Sequence, residues 1–386
     1  MSEPPQIKAP PMWYGGEPAP WFVAASNVNP RFNFSALGGF YAVMCLLGDA
    51  STAEARIALQ TALAEKDRLS ASRIAFIFIT TRPEQQESLQ AEFGALTLFW
   101  DYDLAISRLY GAAEPGATQA DPRAYSPCWI VLDPQLRSLV RRPIEQTPVV
   151  FQFLKNLPPI GLHGQFEGLA PVLVLPRIFE PDFCRALIDL YEQNDSVPSG
   201  FMQQVDGKTV GKLDEGFKRR RDHFIVDPEF QAGIRNRIGR RLIPEIHKAF
   251  NFSVTRIERY VVACYDGEGG GFFRPHRDNT TPGTQHRKFA VTINLNSEDY
   301  TGGELRFPEY SERLYRAPTG GAVVFSCSLL HEATPVTQGR RYACLPFLYD
   351  DAAATTRRTM ASTIVPVPSP VEPVTAARAP ADHASA

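Results

Sequence analysis

The sequence predicts two domains: an N-terminal α/β domain and a C-terminal double-stranded β-helix, or jelly roll, with supporting helices. The chain has 386 residues, which suits two or three compact units because a domain averages roughly 150 residues. Between residues 40 and 157, short apolar runs alternate with stretches of helical periodicity. From residue 257 onward the hydrophobic period changes to two, and glycine-rich or polar turns separate the runs.

Composition and charge narrow the expected function. Apolar residues make up 44% of the chain and charged residues 21%, the balance of a soluble globular protein. The net charge is −2, so there is no overall basic field to hold nucleic acid or anionic lipid. The longest apolar run, residues 40–47, is too short to span a bilayer, and the first fifteen residues lack the apolar region of a secretory signal peptide. We therefore expect a cytoplasmic protein without nucleic-acid or membrane partners, of unknown oligomeric state.

The N-terminal domain is predicted over residues 1–159. After a proline-rich leader its order is β-α-β-α-β-α-β-β-α, carried by the runs FYAVMCLL, STAEARIALQTALAEK, RIAFIFIT, PEQQESLQAEFG, LTLFW, DLAISRLYG, CWIVLD, LRSLVR and VVFQFLKNL. Strands separated by helices of this length are crossovers to parallel partners, while the two late strands close as a hairpin.

A linker over residues 160–174 joins it to a second domain over residues 175–351. Two amphipathic helices open this domain, in PDFCRALIDLYEQN and in DPEFQAGIRNRIGRRLIPEIHKAF. The period-two runs that follow are IERYVVACY, KFAVTINLN, GGELRF, GGAVVFS and RRYACLPFLY, and a jelly roll is the natural closure for this many short strands. Residues 352–386 are rich in Ala, Pro, Thr and Ser without apolar periodicity, so we predict a disordered tail.

Three side chains in the second domain form a candidate metal site. His276 and Asp278 are separated by one residue in ACYDGEGGGFFRPHRDN, and His331 follows in SLLHEATPV. Two imidazoles and one carboxylate make a facial triad, which suits Fe(II) and leaves three adjacent coordination positions open. The spacing alone is weak evidence; the order of a glycine-rich turn, H-x-D, a period-two strand and a late histidine carries the weight.

Residues 175–350 resemble the prolyl 4-hydroxylase type of Fe(II)/2-oxoglutarate-dependent dioxygenases, and ACYDGEGGGFFRPHRDN is similar to the corresponding turn of the oxygen-sensing prolyl hydroxylases. The resemblance implies that His276, Asp278 and His331 are the catalytic iron ligands. It also implies that Tyr265 lies beside the 2-oxoglutarate co-substrate. Asn294 falls where the oxygen sensors use a second tyrosine for that purpose.

The same resemblance makes Arg341 the clamp on the C5 carboxylate of 2-oxoglutarate. Independently, a carboxylate deep in a barrel must be paired, and a guanidinium does this with two parallel hydrogen bonds. Arg340 is the alternative, but strand side chains alternate, so only one of the two can point inward. We favour Arg341 because RYACLPFLYDD resembles the family's last core strand.

The activity that the resemblance implies is hydroxylation with O₂ as oxidant, releasing succinate and CO₂, with ascorbate as a plausible reductant for stalled iron. Protein prolyl residues are the leading substrate class by family likeness, closely followed by small molecules. A sensor that binds 2-oxoglutarate or oxygen without turnover, and a peroxide-reducing thiol enzyme with an accessory oxygenase, are alternatives of other classes.

The N-terminal domain resembles the peroxiredoxin branch of the thioredoxin fold in GGEPAPWF, FWDYDLAISRLYGA and SPCWIVLDP. The peroxidatic loop P-x-x-x-T-x-x-C of that family maps onto GDASTAEA, where Gly48 replaces proline, Thr52 is kept and Ala55 stands at the cysteine. Without a thiolate there is no nucleophile for peroxide, so we expect a redox-dead domain. All six cysteines lack CxxC spacing and are expected to be reduced, mostly buried thiols, with a reactive Cys128 as the alternative.

Three weaker signals remain. The run KRRRD at 218–222 is expected to be a solvated cluster or a set of internal salt bridges, with attraction of an acidic substrate as the alternative. Residues 196–216 are a candidate lid. His286 is expected in an exposed turn, with substrate contact as the alternative.

Overall fold

The computed structural model describes residues 15–118 and 125–365. The predicted leader up to residue 14 and the end of the predicted tail, 366–386, lie outside the described residues. Within the described part of the chain, every helix is too short or too polar to cross a membrane.

The N-terminal domain is a five-stranded sheet with helices. Its elements are β1 (Val23–Ala24), β2 (Phe32–Asn33), β3 (Tyr41–Gly48), α1 (Ala53–Ser70), β4 (Ile74–Thr80), α2 (Gln86–Phe93), β5 (Thr97–Trp100), α3 (Ala105–Leu109), β6 (Cys128–Leu132), β7 (Ser138–Pro143) and α4 (Thr147–Lys155). The sheet order is β5-β4-β3-β6-β7, with β3, β4 and β5 parallel and β6 and β7 antiparallel. From β3 onward the order of elements along the chain and the late hairpin are confirmed. The expected parallel crossover into β6 is wrong, because β6 follows α3 but pairs antiparallel with β3. The separate pair of β1 and β2 was not predicted.

The central strand β3 explains why this domain has two cores. All of its residues are buried, and alternate side chains enter different clusters. Val43 and Cys45 pack in a cluster with residues of α1, whereas Met44 and Leu46 pack on the other side of the sheet. A continuous apolar run is therefore a strand covered on both faces, as in α/β sheets.

The C-terminal domain begins with β8 (Leu173–Leu175), two residues before the predicted boundary. The elements after it are α5 (Pro181–Glu192), β9 (Val197–Pro198), β10 (Phe201–Val205), β11 (Lys208–Lys212), β12 (Lys218–Arg219), β13 (Arg221–Phe224), α6 (Pro228–Arg237), a π-helical turn (Ile238–Leu242), α7 (Ile243–Phe250), β14 (Arg256–Glu258), β15 (Val261–Asp266), β16 (Phe272–His276), β17 (Phe289–Asn294), β18 (Tyr300–Gly302), β19 (Leu305–Arg306), β20 (Leu314–Tyr315), β21 (Ala322–Ser326), β22 (His331–Ala333), β23 (Val336–Cys344), β24 (Phe347–Tyr349), α8 (Asp351–Met360) and β25 (Ile364–Val365).

Two sheets enclose the interior of this domain. The larger follows the path β14-β24-β17-β23-β15-β13-β9, with β8, β18 and β21 attached, and the smaller follows β12-β16-β22-β19-β20. One cluster joins residues of β15 and β23 in the larger sheet to residues of β16 and β22 in the smaller. The outer face of the larger sheet packs on α5, α6 and the helical turns after it. The predicted jelly roll with supporting helices is confirmed by this arrangement.

The predicted disordered tail is wrong for its first part. Residues 351–360 form α8, whose N-cap Asp350 accepts a hydrogen bond from the Ala353 amide at 2.7 Å. Ala353 and Ala354 are buried against Tyr349. Alanine gives a helix little amphipathic signal, so two buried methyl groups fix the helix to the domain without any apolar stripe in the sequence.

Candidate metal centre

The three predicted ligands converge in the smaller sheet, where β16 ends and β22 begins. Strands β16 and β22 run antiparallel with His276 opposite His331. Asp278 lies just after β16, where its amide donates a hydrogen bond to the Cys327 carbonyl at 3.0 Å. Its carboxylate oxygens lie 3.6 Å from His276 Nε2 and 3.4 Å from His331 Nε2, and one ligand atom from each residue lies within 4.8 Å of the others. This is the spacing of side chains that could share one ion.

Backbone carbonyls orient both imidazoles. His276 Nδ1 lies 2.7 Å from the Arg274 carbonyl oxygen, and His331 Nδ1 lies 3.0 Å from that of Leu329. A carbonyl can only accept, so Nδ1 carries the proton in each ring. In the neutral ring this leaves the Nε2 lone pair to face a metal, the arrangement that outer partners of metal-ligating histidines usually impose.

Aromatic packing holds the rings in place. The Phe273 ring stacks on His276 with centroids 3.5 Å apart, and the Phe325 ring lies 4.5 Å from His331. Because rotamers in packed surroundings are restricted, the donor atoms are positioned before any ion binds.

Burial sets the charge of the ligands. Desolvation, together with the nearby His276, lowers the pKa of His331 to about 4, so this imidazole is neutral near pH 7. Burial alone would raise the pKa of the Asp278 carboxyl, but the two histidines and Arg287 hold that pKa below its ordinary value. Neutral nitrogen donors and one ionised oxygen donor fit Fe(II), whose usual non-haem site has this composition.

Arg341 lies in the same cavity as the three ligands. The residue is 2% exposed, and its Nε and Nη1 have no hydrogen-bond partner among the described residues. Tyr265 is its cross-strand neighbour, and the guanidinium carbon lies 4.9 Å from the centre of the Tyr265 ring. An unpaired buried guanidinium is costly, so this geometry fits an anion that the cavity receives.

Arg340 points the other way. Its side chain is 53% exposed and pairs with Asp266 at 3.0 Å and Glu192 at 3.7 Å. Of the two candidates for a buried clamp, only Arg341 therefore reaches the cavity. The role of this side chain remains a prediction, whereas its position is fixed by the alternation of β23.

Both domains line the cavity, which has a volume of about 440 Å³. The C-terminal domain contributes the predicted ligands, Arg341 and Tyr265, together with residues of the two sheets. The N-terminal domain contributes residues of β1, of β2 and of the turns beside them: Val23, Asn29, Arg31, Phe32, Asn33, Ser35 and Ala36. The sequence had not indicated that the first domain takes part in this cavity.

The expectation for Asn294 needs correction. This residue does not line the cavity, and its Nδ2 donates to the Ala317 carbonyl at 2.8 Å. The polar residue of β17 that lines the cavity is Thr292, two positions earlier on the same face. Both residues lie on the same face of β17 because strand side chains alternate, and the depth of the cavity distinguishes them.

The run at 218–222 is split by strand alternation. Lys218, Arg220 and Asp222 are all buried, and Arg220 pairs with Asp222 at 2.7 Å. Lys218 and Arg220 also line the cavity. The expected internal salt bridge is thus present, whereas the expected solvated cluster is wrong for these three residues; their i, i+2 spacing was the signal that could have indicated one shared face.

The expectation for His286 is also wrong. The residue is 2% exposed, and its Nε2 lies 2.7 Å from Glu258 Oε2. Arg287 pairs with the same carboxylate at 2.7 Å. His286 therefore supports a buried ion-pair network beside the cavity, without lining the cavity itself.

In the N-terminal domain, Ala55 lies in the first turn of α1. Thr52 is the N-cap of that helix, and its side chain accepts a hydrogen bond from the Ala55 amide at 3.3 Å. Cys45 and Cys128 are buried in the neighbouring strands, and burial raises the pKa of both thiols. A neutral buried thiol is a poor nucleophile, so neither replaces a peroxidatic cysteine in this geometry.

Comparison with known proteins finds a protein-family model that matches part of the C-terminal domain. Residues 260–349 match the model described as the 2OG-Fe(II) oxygenase superfamily. A PKHD-type hydroxylase of Synechococcus sp. (strain JA-2-3B'a(2-13)) is 31% identical over 98 residues, covering 24% of this chain and 43% of the relative. The chain therefore spans under half the length of that curated relative. These matches confirm the resemblance predicted for the C-terminal domain over the matched residues.

Two solved structures are also similar to parts of the chain. A Pseudomonas putida prolyl-4-hydroxylase is 18% identical, with 47% of this chain and 92% of that chain covered and a TM-score of 0.35. A yeast mitochondrial 1-Cys peroxiredoxin is 15% identical, with 45% of this chain and 92% of that chain covered and a TM-score of 0.36.

Proposed function

We propose, from the match of residues 260–349 to the 2OG-Fe(II) oxygenase superfamily, that this protein is an Fe(II)- and 2-oxoglutarate-dependent dioxygenase that hydroxylates its substrate. The observation that carries the proposal is one cavity that holds both a two-histidine, one-carboxylate cluster and a buried guanidinium, two of whose nitrogens have no hydrogen-bond partner among the described residues. Either feature alone is compatible with a purely structural role. Together they fit one dicarboxylate, whose chelating end would face the metal cluster and whose distal carboxylate would face the guanidinium.

The chain's own residues would divide the work as follows. His276, Asp278 and His331 would hold Fe(II) through two Nε2 atoms and a carboxylate oxygen. Arg341 would pair with the distal carboxylate of 2-oxoglutarate, and Tyr265 would hold the guanidinium in place by packing under it. When bound, iron and 2-oxoglutarate supply the oxidation chemistry that places an oxygen atom from O₂ on a C–H bond, with release of succinate and CO₂.

The walls of the cavity would keep that chemistry from water. Phe273, Phe325 and Leu345 line it and are buried. Exclusion of water strengthens the electrostatic interactions of the ligand set and limits side reactions. The hairpin of β10 and β11 contributes Phe201 and Met202 to the lining, which supports the predicted role of this segment as a lid.

Several finer assignments belong to the same proposal. Protein prolyl residues are the leading substrate class, supported by the family likeness, and a small molecule is the alternative. Ascorbate as reductant and a cytoplasmic location rest on the family likeness and on the reduced thiols. The near-neutral net charge of −2 supports the absence of nucleic-acid and membrane partners.

Anaerobic spectroscopy tests the proposal directly. Addition of Fe(II) and 2-oxoglutarate to the full chain should produce the visible charge-transfer band of a chelated keto acid. His276→Ala should abolish the band, whereas His247→Ala, which removes an exposed imidazole on α7, should leave it unchanged. No band with the unaltered chain would contradict the proposal.

Turnover separates an enzyme from a sensor. With O₂ admitted, succinate should accumulate even without added substrate, because such enzymes commonly decarboxylate 2-oxoglutarate slowly by themselves. Binding of 2-oxoglutarate without succinate release would favour the sensor alternative.

A further inference from the structure

The cavity around the candidate metal centre carries an excess of positive charge. Of its lining residues only Asp278 is acidic. The cationic residues in the lining are Arg31, Lys218, Arg220, Arg259, Arg277, Arg287 and Arg341. Such an excess inside a partly closed site favours anionic molecules over neutral ones.

Most of these cations have assigned partners. Three form ion pairs with carboxylates just outside the cavity: Arg220 with Asp222 at 2.7 Å, Arg277 with Glu309 at 2.6 Å and Arg287 with Glu258 at 2.7 Å. Arg341 is assigned to the co-substrate under the proposed function. Arg31, Lys218 and Arg259 form no ion pair with a carboxylate of the described residues, so their charge is available to a ligand.

Lys218 stands beside the metal ligands. It is 6% exposed, its Nζ donates to the Gly200 carbonyl at 2.6 Å, and this nitrogen lies 4.4 Å from the centre of the Phe273 ring. Phe273 in turn stacks on His276. The Lys218 ammonium is therefore one aromatic ring away from an iron ligand, with two of its three N–H donors not used by any described residue.

Arg259 enters the cavity from a strained backbone position. Its φ is 54°, in the left-handed region, at the break between β14 and β15. Such a conformation costs a non-glycine residue of order 1 kcal/mol and is often kept at binding sites. Its Nε donates to the Leu345 carbonyl at 3.2 Å, and its guanidinium carbon lies 4.4 Å from the centre of the Phe347 ring. The two terminal nitrogens have no protein partner among the described residues.

We infer that the hydroxylated substrate carries an anionic group, a carboxylate or a phosphate, which Lys218 and Arg259 bind beside the metal centre, with Arg31 of the N-terminal domain at the exposed rim. This rests on the proposed function, which assigns Arg341 and the iron ligands to the co-substrate. The first domain, which has Ala55 in place of a peroxidatic cysteine, would then form one wall of the substrate site.

The electrostatics of Lys218 and Arg259 agree with this assignment. Burial and the neighbouring Arg220 lower the pKa of Lys218, and the same effects, with Arg287 added, lower the pKa of Arg259 to about 10. Cations that destabilise one another in this way gain from any anion placed between them, because the anion replaces lost hydration and offsets their repulsion.

Anion binding to the loaded protein tests the inference. The full chain would be loaded with Mn(II), which does not turn over, and with saturating 2-oxoglutarate, and then titrated with inorganic phosphate or with acetate at constant ionic strength. The readout is the rise in the thermal unfolding midpoint, which reports ligand binding to the folded state. Phosphate binding alone indicates a phosphoryl group, and binding of both anions indicates a carboxylate.

Matched variants locate the anion. Lys218→Met should weaken the binding by about tenfold, the value of one charged hydrogen bond, and Arg31→Met should weaken it by a smaller factor because its charge is exposed. Arg219→Met removes the same charge one residue away, outside the cavity lining, and should leave the affinity unchanged. Binding of neither anion, equal affinity in Lys218→Met and the unaltered chain, or competition between the anion and 2-oxoglutarate would each overturn the inference.

The two proposals fail separately in this experiment. If 2-oxoglutarate does not stabilise the Mn(II)-loaded chain, the proposed function is wrong, because the co-substrate site is absent. If 2-oxoglutarate stabilises it but the anions do not, the dioxygenase assignment stands and the anionic substrate is wrong.

Discussion

Single residues at the centre of this protein differ sharply from their sequence neighbours. Arg341 is buried without a partner for two of its nitrogens among the described residues, whereas Arg340 is paired at the surface. Adjacent positions on a strand face opposite sides, so two identical side chains acquire unrelated roles. Arg340 therefore serves as a control for substitutions of Arg341.

Substitution of Arg341 and substitution of Arg340 should have very different effects on the affinity for the co-substrate. Arg341→Met should weaken 2-oxoglutarate binding to the Mn(II)-loaded chain by roughly 10- to 100-fold, the loss of about 1.5–3 kcal/mol from charged hydrogen bonds. Arg340→Met should change the dissociation constant less than about twofold, since exposed pairs contribute little. Calorimetric titration measures both; similar losses in the two variants would contradict the assignment of Arg341.

Asp222 should make the stability of the fold depend on pH in the acid range. Its carboxyl is buried, and although desolvation opposes ionisation, Arg220 and Lys218 lower its pKa to about 2. An unperturbed aspartate titrates near pH 4. Because the folded-state pKa is the lower one, this carboxylate stabilises the fold fully above about pH 4, and the contribution is lost as the pH falls through about 2.

We therefore expect Asp222→Asn to lower the free energy of unfolding by about 3 kcal/mol at pH 7, because Arg220 remains buried without its partner. The difference from the unaltered chain should shrink as the pH is lowered from about 4 toward 2. Urea unfolding at several pH values measures it. Asp182→Asn, at an exposed carboxylate that pairs with Arg185, is the matched control and should have little effect.

Among the elements, the lid hairpin depends on the end of the described chain. Strand β11 pairs in parallel with β25, with Thr209 opposite Ile364 and Val210 opposite Val365. The Gly283 amide also donates to the Thr209 hydroxyl at 2.8 Å. A hairpin of two strands is marginal by itself, so these contacts stabilise it over the cavity.

Removal of residues from 364 onward should accordingly speed amide hydrogen exchange in residues 201–212. The expected increase is about tenfold, corresponding to the loss of roughly 1–1.5 kcal/mol from two backbone hydrogen bonds. A chain ending at residue 365 keeps β25 and serves as the control. Unchanged exchange in the shorter chain would mean that the hairpin is held by other contacts.

Across the whole molecule, specific contacts join the two domains, and one of them involves Arg277, which lines the cavity. The Arg277 guanidinium lies 4.5 Å from the centre of the Trp21 ring, and Arg73 pairs with Glu312 at 2.7 Å. Gly39 has a φ of 83°, and a Cβ there would lie 2.6 Å from the Cβ of Pro308. Close approach at a left-handed glycine fixes where the first domain meets the second, and hence where Arg31 stands relative to the metal centre.

The N-terminal domain should act as a structural wall and not as a peroxidase. All six cysteines are reduced and buried, so a thiol reagent such as dithionitrobenzoate should react slowly with the native chain and with six thiols after unfolding. The metal-free chain with a thiol reductant should consume peroxide no faster than the reductant alone. Steady peroxide turnover would contradict the assignment and direct attention to Cys128.

The amino-acid sequence by itself determined the two-domain order, the helices and strands with strong periodicity, and the identity of the three candidate ligands. These features depend on local spacing, which a strand or helix converts directly into a shared face. The succession of strands and helices along the chain from residue 41 to residue 143 followed from the same rule, whereas the antiparallel pairing of β6 with β3 did not.

Only the tertiary structure decided which polar side chains meet. Asn294 and Thr292 share one face of β17, yet of these two only Thr292 lines the cavity. His286 is buried because its imidazole pairs with the carboxylate of Glu258, which is distant in sequence. The helix α8 is stabilised by the packing of Ala353 and Ala354 against Tyr349. Arg31 and Lys218 share a cavity because two domains dock, and docking depends on surface shape and charge in three dimensions, which no periodicity along the chain encodes.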